Sequence, residues 1–512
     1  MIGTAFSAVF FSLHKMAFTT NIGIDTEWFI LGNYGKEWMI KTLGRFGMYC
    51  STMLLDHAGF SPYANGAIFL IGFTLSALLW IRFFTLINGE IRPEYLIFIL
   101  AYVMHPLWIY QFYFLLQTAE ISIALCLQAV SFILLYRVIE GTCSKAGRIA
   151  CAVLSVLSAV YAIATYQAFM ELHITVAVAF AILMYDSSVR IDENRPSYFR
   201  ELLFIAGHFA ASAGLYTVIC KVAGWGKNDY LAVVWGSKGV IEIVRDLIRD
   251  AAHLLLGKEE YAGYIVLLGM LLSAFCCIWS FIRRKKKDDM CRFILLICLC
   301  ASCYALSVVM GRPADPRTRF SVIFVTAFIG MYSVERFNDS FATQDPLTVR
   351  NPILSVKVAI YGIVAISLLM QLGKMQRLIY TNDICNAQQY EVASDIARNI
   401  DLAGADENSR ILIVGHWDAP LNNACHRSDI VGHSSFEWGY DENDPVSATY
   451  RSGLYINAAC GTRYGFELYG DNYEQDVQTA ILMTSQMPSY PGDGYVCKNG
   501  DLIVVKLSEP GE

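Results

Sequence analysis

The chain has 512 residues, 55% of them hydrophobic and only 16% charged, with a formal net charge of −6 and a mean hydropathy of +0.43. A soluble domain carries about a quarter charged residues, so these proportions exclude an ordinary soluble enzyme, and no basic patch calls for a nucleic acid. The charges cluster between apolar stretches long enough for bilayer helices of ~20 residues, which predicts a polytopic α-helical membrane protein.

In chain order the hydropathy pattern predicts eleven spans: 2–19, 66–87, 94–114, 117–137, 147–165, 168–186, 201–222, 260–282, 290–310, 318–335 and 354–373. The third and fourth must form a tight hairpin. His14 and Lys15 interrupt the first, which nevertheless lacks the basic start and small-residue cleavage site of a signal peptide. Four basic loops, 137–148, 186–200, 283–289 and 334–352, fall on one side of this arrangement. The positive-inside rule makes that side the cytoplasm. The N-terminus is then cytoplasmic. Loop 20–65, loop 223–259, turn 311–317 and the tail from about 374 are expected outside.

The first outer loop opens with "NIGIDTEWFI", where Asp25 and Glu27 stand among Ile24, Trp28, Phe29 and Ile30. In extended backbone, residues i and i+2 point the same way, so both carboxylates can face one pocket. Apolar neighbours raise a carboxylate's pKa and suit it to general-base work. The competing reading is a helix N-cap at Asp25. "KTLGRFGMY" follows at 41–49, and its Arg45 is placed either to pair with Asp25 or to bind an anion.

Several polar residues sit at expected outer helix ends: Glu120, Tyr166, Gln167, Glu171 and His173. Ionisable groups at membrane depth usually face a cavity, and Glu120 and Gln167 are read as cavity liners. His105-Pro106 marks a kink and His208 a packed polar residue. In loop 223–259, "KGVIEIVRDLIRDAAHLLLG" places Ile241, Val244, Leu247, Ile248, Ala251, Leu254 and Leu255 on one helical face. Glu242, Arg245, Asp246, Arg249 and Asp250 lie opposite, the pattern of an interfacial amphipathic helix. The turn "GRPADPRTRF" (311–320) crowds Arg312, Arg317 and Arg319 where the charge rule predicts few cations. Guanidinium forks match phosphate oxygens; the alternative is pairing with Asp315 and lipid headgroups.

The tail, 374–512, reads as a small α/β domain. An amphipathic helix is expected at 388–400, with Ala393, Ile396, Ala397 and Ile400 inward, a buried strand at 410–415, and a hairpin at 494–507 around Asn499-Gly500. Cys385, Cys425, Cys460 and Cys497 form either two disulfides or free thiols. Cys276, Cys277, Cys291, Cys298, Cys300 and Cys303 read as apolar packers rather than a metal cluster. In "GHWDAP" (415–420), Trp417 either stacks on a sugar ring or forms a domain corner. No glycine-rich phosphate loop, metal-spaced His/Glu helix or nucleophile elbow occurs.

"IDTEWF…GRFG" after the first span, "YQAF" (166–169) and "RPADPR" (312–317) together resemble the Gtr type II family of bacterial glucosyltransferases, within the GT-C class of membrane glycosyltransferases. The likeness covers about 1–370. It implies a GT-C-like helical domain at 1–373, seated in the bacterial cytoplasmic membrane, that moves a sugar from a polyprenyl-phosphate carrier to a surface-glycan acceptor outside. Asp25 or else Glu27 would deprotonate the acceptor. Arg312, Arg317 and Arg319 would hold the lipid phosphate, and Arg45, Glu120, Tyr166 and Gln167 would line the substrate site. Phosphate leaves readily, so no cofactor beyond the lipid-linked donor is required, and a divalent metal is left open. The alternatives are a lipid-linked glycan polymerase or ligase, or a transporter. A transporter would show inverted repeats or paired broken spans, and neither is visible.

Overall fold

The computed structural model describes residues 1–32, 36–57, 59–190, 198–226, 234–284, 288–342, 350–466 and 472–509. In chain order its helices are α1 (Ile2–Ala17), α2 (Thr26–Ile30), α3 (Lys36–Lys41), α4 (Phe46–Leu55), α5 (Pro62–Asn88), α6 (Tyr95–Val103), α7 (Trp108–Phe112), α8 (Thr118–Glu140), α9 (Lys145–Thr165) and α10 (Phe169–Arg190). They continue as α11 (Tyr198–Ala223), α12 (Val240–Leu256), α13 (Ile265–Arg284), α14 (Asp288–Ser302), α15 (Ala305–Met310), α16 (Phe320–Ala342), α17 (Arg350–Leu402), α18 (Thr449–Cys460) and α19 (Tyr473–Thr484). Four short strands follow α17: β1 (Arg410–Val414), β2 (Gly465–Phe466), β3 (Val496–Asn499) and β4 (Leu502–Lys506). The chain divides into two compact units, one of residues 1–18, 35–112 and 117–376, the other of 19–34, 113–116 and 377–512.

Among the described residues seven helical segments are long and apolar enough to cross a membrane: Pro62–Asn88, Leu115–Glu140, Lys145–Thr165, Phe169–Ser187, Tyr198–Ala223, Phe320–Phe341 and Leu354–Leu402. They make this a mostly helical membrane protein with a small C-terminal sheet. Of the other four expected spans, three are short or broken and one, 260–282, is a single helix. α1 has 16 residues, about 24 Å of helix at 1.5 Å per residue, short of a ~30 Å hydrocarbon core. Stretch 94–114 breaks into α6 and α7 because Pro106 has no amide hydrogen to continue the ladder; the Trp108 indole N–H instead donates to the Tyr102 carbonyl at 2.6 Å. Stretch 260–282 becomes the 20-residue α13, starting at Ile265.

The fourth, 290–310, divides between α14 and α15. There Glu171 caps the new helix, accepting the Leu306 amide at 2.9 Å and the Ser321 hydroxyl at 2.7 Å. Of the basic loops used for orientation, residues 191–197, 285–287 and 343–349 lie outside the described residues.

The helical unit is welded by aromatic side chains and small residues. Trp80 packs edge-on against Phe324 at 5.0 Å between centroids, and Phe83 against Phe180 at 5.1 Å. Gly66 lets α5 touch α1, since a Cβ there would lie 1.7 Å from the Ala17 carbonyl oxygen. Some buried polar groups bond one another. His173 bonds Gln128 at 3.0 Å and His208 at 3.1 Å, and His208 reaches Ser155 at 2.8 Å.

In the second unit the sheet order is β2-β1-β4-β3, with β1 parallel to β2 and β4 and β3 antiparallel to β4. The continuous apolar run "RILIV" signals a strand covered on both faces. Ile411, Ile413, Ile503 and Val505 meet Val392, Ala393, Ile396, Ala397 and Ile400 of α17 and Tyr455 and Ile456 of α18. Leu412, Val414, Leu502 and Val504 face Ala480 and Met487 instead. The expected helix at 388–400 is thus present, fused into the 53-residue α17. The hairpin turns on Gly500-Asp501, with Asn499 paired to Leu502. Gly500 has φ +61°, the left-handed geometry for which glycine is suited at the first loop position. All four tail cysteines are free thiols, which removes the disulfide alternative.

Candidate active site

The acidic pair owes its geometry to one strained residue. Asp25 has φ 70° and ψ −17°, left-handed backbone for which a non-glycine residue loses roughly 1–2 kcal/mol. The bend is fixed by the Thr26 amide, which donates to the Gly23 carbonyl at 3.0 Å. It is also fixed by the ring of Tyr113, 2.7 Å from where a Gly23 Cβ would stand. Asp25 occupies the N-cap position of α2, yet its side chain makes no capping bond. It turns instead to Arg451 of α18. A single Arg451 nitrogen, Nη1, donates to Asp25 Oδ1 at 3.0 Å and to Glu27 Oε1 at 2.8 Å. The two carboxylates therefore do share one side, through a left-handed kink rather than an extended strand.

Their environments differ. Asp25 is 42% exposed and Glu27 3%. Glu27 Oε2 has no hydrogen-bond partner among the described residues. Burial raises the Glu27 pKa from the usual 4.5 to about 7, against the opposing pull of the Arg451 charge. Arg451 is the member of this cluster that sequence reading missed. It lies 424 positions from Glu27, and nothing in "SATYRSGLY" marks it.

In the helical unit the "GRFG" and "YQAF" segments meet. Arg45 ends the approach to α4, and its guanidinium carbon stands 4.4 Å from the centre of the Tyr166 ring. Its Nε donates to Gln167 Oε1 at 3.2 Å, and no bond engages its Nη groups among the described residues. Gln167 in turn donates to the Leu43 carbonyl at 2.5 Å and to the Tyr216 hydroxyl at 3.0 Å. This leaves a cation held over an aromatic face with two donor edges available. Glu120, at the start of α8, is wholly buried. It accepts from Thr52 of α4 at 3.2 Å, and its second oxygen has no hydrogen-bond partner among the described residues.

The arginine turn separates into two roles. Arg312 pairs with Asp315 at 2.9 Å and Arg317 reaches the same carboxylate at 3.7 Å, so two cations flank one anion. Arg319 departs from the expected phosphate role. It is buried, with Nη1 bonded to both oxygens of Asp250 on α12 at 3.0 and 2.8 Å and Nε bonded to the Ala314 carbonyl at 2.6 Å. Tyr261 donates to Asp250 as well, at 2.9 Å. Asp250 consumes the Arg319 charge because burying a guanidinium demands a fully bonded partner. Its place was legible in part: Asp246, Asp250 and His253 share helical spacing on one face of α12.

Residues 16–334 match the glucosyl transferase GtrII family. The chain belongs to that family. It is a glycosyltransferase by kinship, and the match spans Asp25, Glu27, Arg45, Glu120, Tyr166, Gln167, Arg312, Arg317 and Arg319 while stopping short of Arg451. No curated protein matches the chain. The GtrII stretch thus supplies both carboxylates, while their common cation comes from α18, beyond its end.

Proposed function

We propose that this GtrII-family protein transfers a glucosyl group from a polyprenyl-phosphate carrier to a hydroxyl of a cell-surface glycan. The fold reading is a GT-C-like domain at 1–373 with an α/β domain at 374–512. The reaction is placed at the outer face of the bacterial cytoplasmic membrane, with the N-terminus inside. The observation that carries the reading is the carboxylate pair held by one guanidinium, one member exposed and the other buried with a pKa raised to about 7.

Asp25, the exposed member, is the general base. A base must come within hydrogen-bond reach of the proton it removes, and Asp25 alone of the pair offers its carboxylate to solvent. It takes the acceptor hydroxyl proton as that oxygen attacks C1 of the sugar. The C1–oxygen bond to phosphate breaks, and polyprenyl phosphate leaves with the electron pair. Glu27 positions the base through Arg451: when Glu27 ionises, the guanidinium is shared between two carboxylates, and Asp25 is less tightly held. On the donor side, Arg312 and Arg317 offer charge to the departing phosphate, with preorganised cations lowering the barrier. Arg319 positions the turn. Arg45, with its Nη edges open above Tyr166, and Glu120 are assigned to substrate polar groups.

The test is glycosyl transfer by purified protein in detergent, with radiolabelled polyprenyl-phosphate-glucose and a surface-glycan extract. Asp25→Asn should lower kcat by about 10²–10⁴-fold with donor KM little changed. Wild-type protein that transfers nothing from this donor, yet extends diphosphate-linked oligosaccharides, would replace this reading with a polymerase or ligase.

A further inference from the structure

α12 leaves several large apolar side chains open on one face. Ile241 is 86% and Ile248 64% exposed, while Val244 is also exposed. Ile243 and Leu254 are its buried residues, while Asp246, Arg249, Asp250 and His253 recur at i, i+3, i+4 and i+7 on a neighbouring, partly exposed face. Beside it lies an open cleft of about 320 Å³, lined by those four residues with Glu259 and Pro313. An apolar outer face suits contact with acyl chains at the bilayer surface, so the helix presents polar groups to a protein pocket and its apolar side to lipid.

We propose that this cleft is the subsite for the hexosyl group of the lipid-linked donor, an inference that rests on the donor reading above. The chemistry of the walls separates a sugar from the other candidate ligands. Three carboxylates disfavour a phosphate within the cleft, and Arg249 together with Arg319, bonded to Asp250, opposes a bare cation. A neutral polyol needs acceptors and donors together. Asp246 and Glu259 accept, Arg249 donates, and His253 does either. Pro313 of the wall adjoins Arg312 in the chain, so the anionic part of the same donor falls to Arg312 and Arg317 and the neutral part to the cleft. The volume stands at the small end of ligand sites, about 300–1,000 Å³, the scale of one sugar ring rather than an oligosaccharide.

The cleft is also built rather than incidental. Asp250 is fixed by Tyr261 and Arg319. The segment that brings Glu259 to the cleft carries positive φ at two non-glycine residues, Glu259 (52°) and Ala262 (26°). A Cβ at Gly257 would lie 2.1 Å from the Gly263 carbonyl oxygen. This corner directs the Glu259 carboxylate at His253, 3.2 Å away. Strain of this kind persists where the surroundings enforce it, often at ligand sites.

The test measures binding of two lipids, polyprenyl-phosphate-glucose and bare polyprenyl phosphate, to the full chain in nanodiscs by tryptophan fluorescence. Wild type should bind the glucosylated lipid about tenfold or more tightly than the bare one, the worth of one charge-assisted hydrogen bond. Arg249→Ala and Glu259→Gln, both at exposed positions, should erase that difference while leaving affinity for bare polyprenyl phosphate and the melting temperature unchanged. Equal binding of both lipids by wild type overturns the subsite and leaves the lipid-phosphate reading standing. Variants that weaken both lipids alike also overturn it. Wild type that binds neither lipid overturns the donor reading and the subsite together.

Discussion

Replacing Arg451 by Gln isolates the charge that joins the two carboxylates. The exposed half of the contact, Asp25 at 42%, contributes little, about 0–1 kcal/mol for an ion pair open to water. The buried half is pH-dependent. Glu27 has its folded pKa raised from 4.5 to about 7, so its stabilisation is full below about pH 4.5 and is lost as pH rises to about 7, a total of about 3 kcal/mol. Above about pH 7 the wild-type carboxyl ionises against Arg451 and the loss stops.

Without the guanidinium Glu27 must stay protonated, and each further pH unit removes about 1.4 kcal/mol. From about pH 7 to about pH 8.5, Arg451→Gln should therefore lose about 2 kcal/mol more than wild type. At about pH 6 the two should nearly coincide. Thermal unfolding in detergent measures this, read from Trp28, which packs at 5.5 Å against Tyr450 beside the site. The double variant Glu27→Gln/Arg451→Gln should show no added pH dependence. An equal loss at both pH values, or pH dependence that survives in the double variant, would refute the reasoning.

The pH profile of glycosyl transfer should rise through about pH 7 in wild type as Glu27 ionises, and this limb should vanish in Glu27→Gln while measurable turnover remains. Arg319→Leu should destabilise the protein by about 1–3 kcal/mol, because the partly buried Asp250 carboxylate and the Ala314 carbonyl lose their donor; melting curves would show it. Arg312→Ala and Arg317→Ala should leave the melting temperature within a degree or two and raise the donor KM instead. Gly66→Leu should cost at least about 1–3 kcal/mol through overpacking, since even its Cβ would meet the Ala17 carbonyl oxygen; a melting temperature equal to wild type would show that α1 and α5 need not touch.

Much of the architecture was written locally. Runs such as "AIFLIGFTLSALLWIRFF" are too long and too apolar to be anything but bilayer-length helices. "RILIV" read as a buried strand and "LIVVK" as one arm of a hairpin, and both are strands of the sheet. The amphipathic spacing in 238–257 gave α12 as a helix because helical periodicity needs no tertiary information. Where the sequence misled, a local signal met a competing one. His105-Pro106 breaks stretch 94–114 outright instead of kinking it, and Glu171 starts a separate cap at α15 where hydropathy alone predicted one span.

At the candidate site the sequence by itself determined which groups were available: two carboxylates in a greasy loop, Arg45, and a turn with three arginines. Tertiary structure decided what each could do. The left-handed backbone at Asp25 turns both carboxylates onto Arg451, a partner 424 positions away from Glu27 that no spacing rule could find. The reach of Asp250 from α12 removes Arg319 from the ligand-binding set and leaves Arg312 and Arg317. Residue identity fixes charge and hydrogen-bonding capacity, but pKa and availability depend on burial and on which oppositely charged group lies within about 3 Å, and these exist only once the chain is folded.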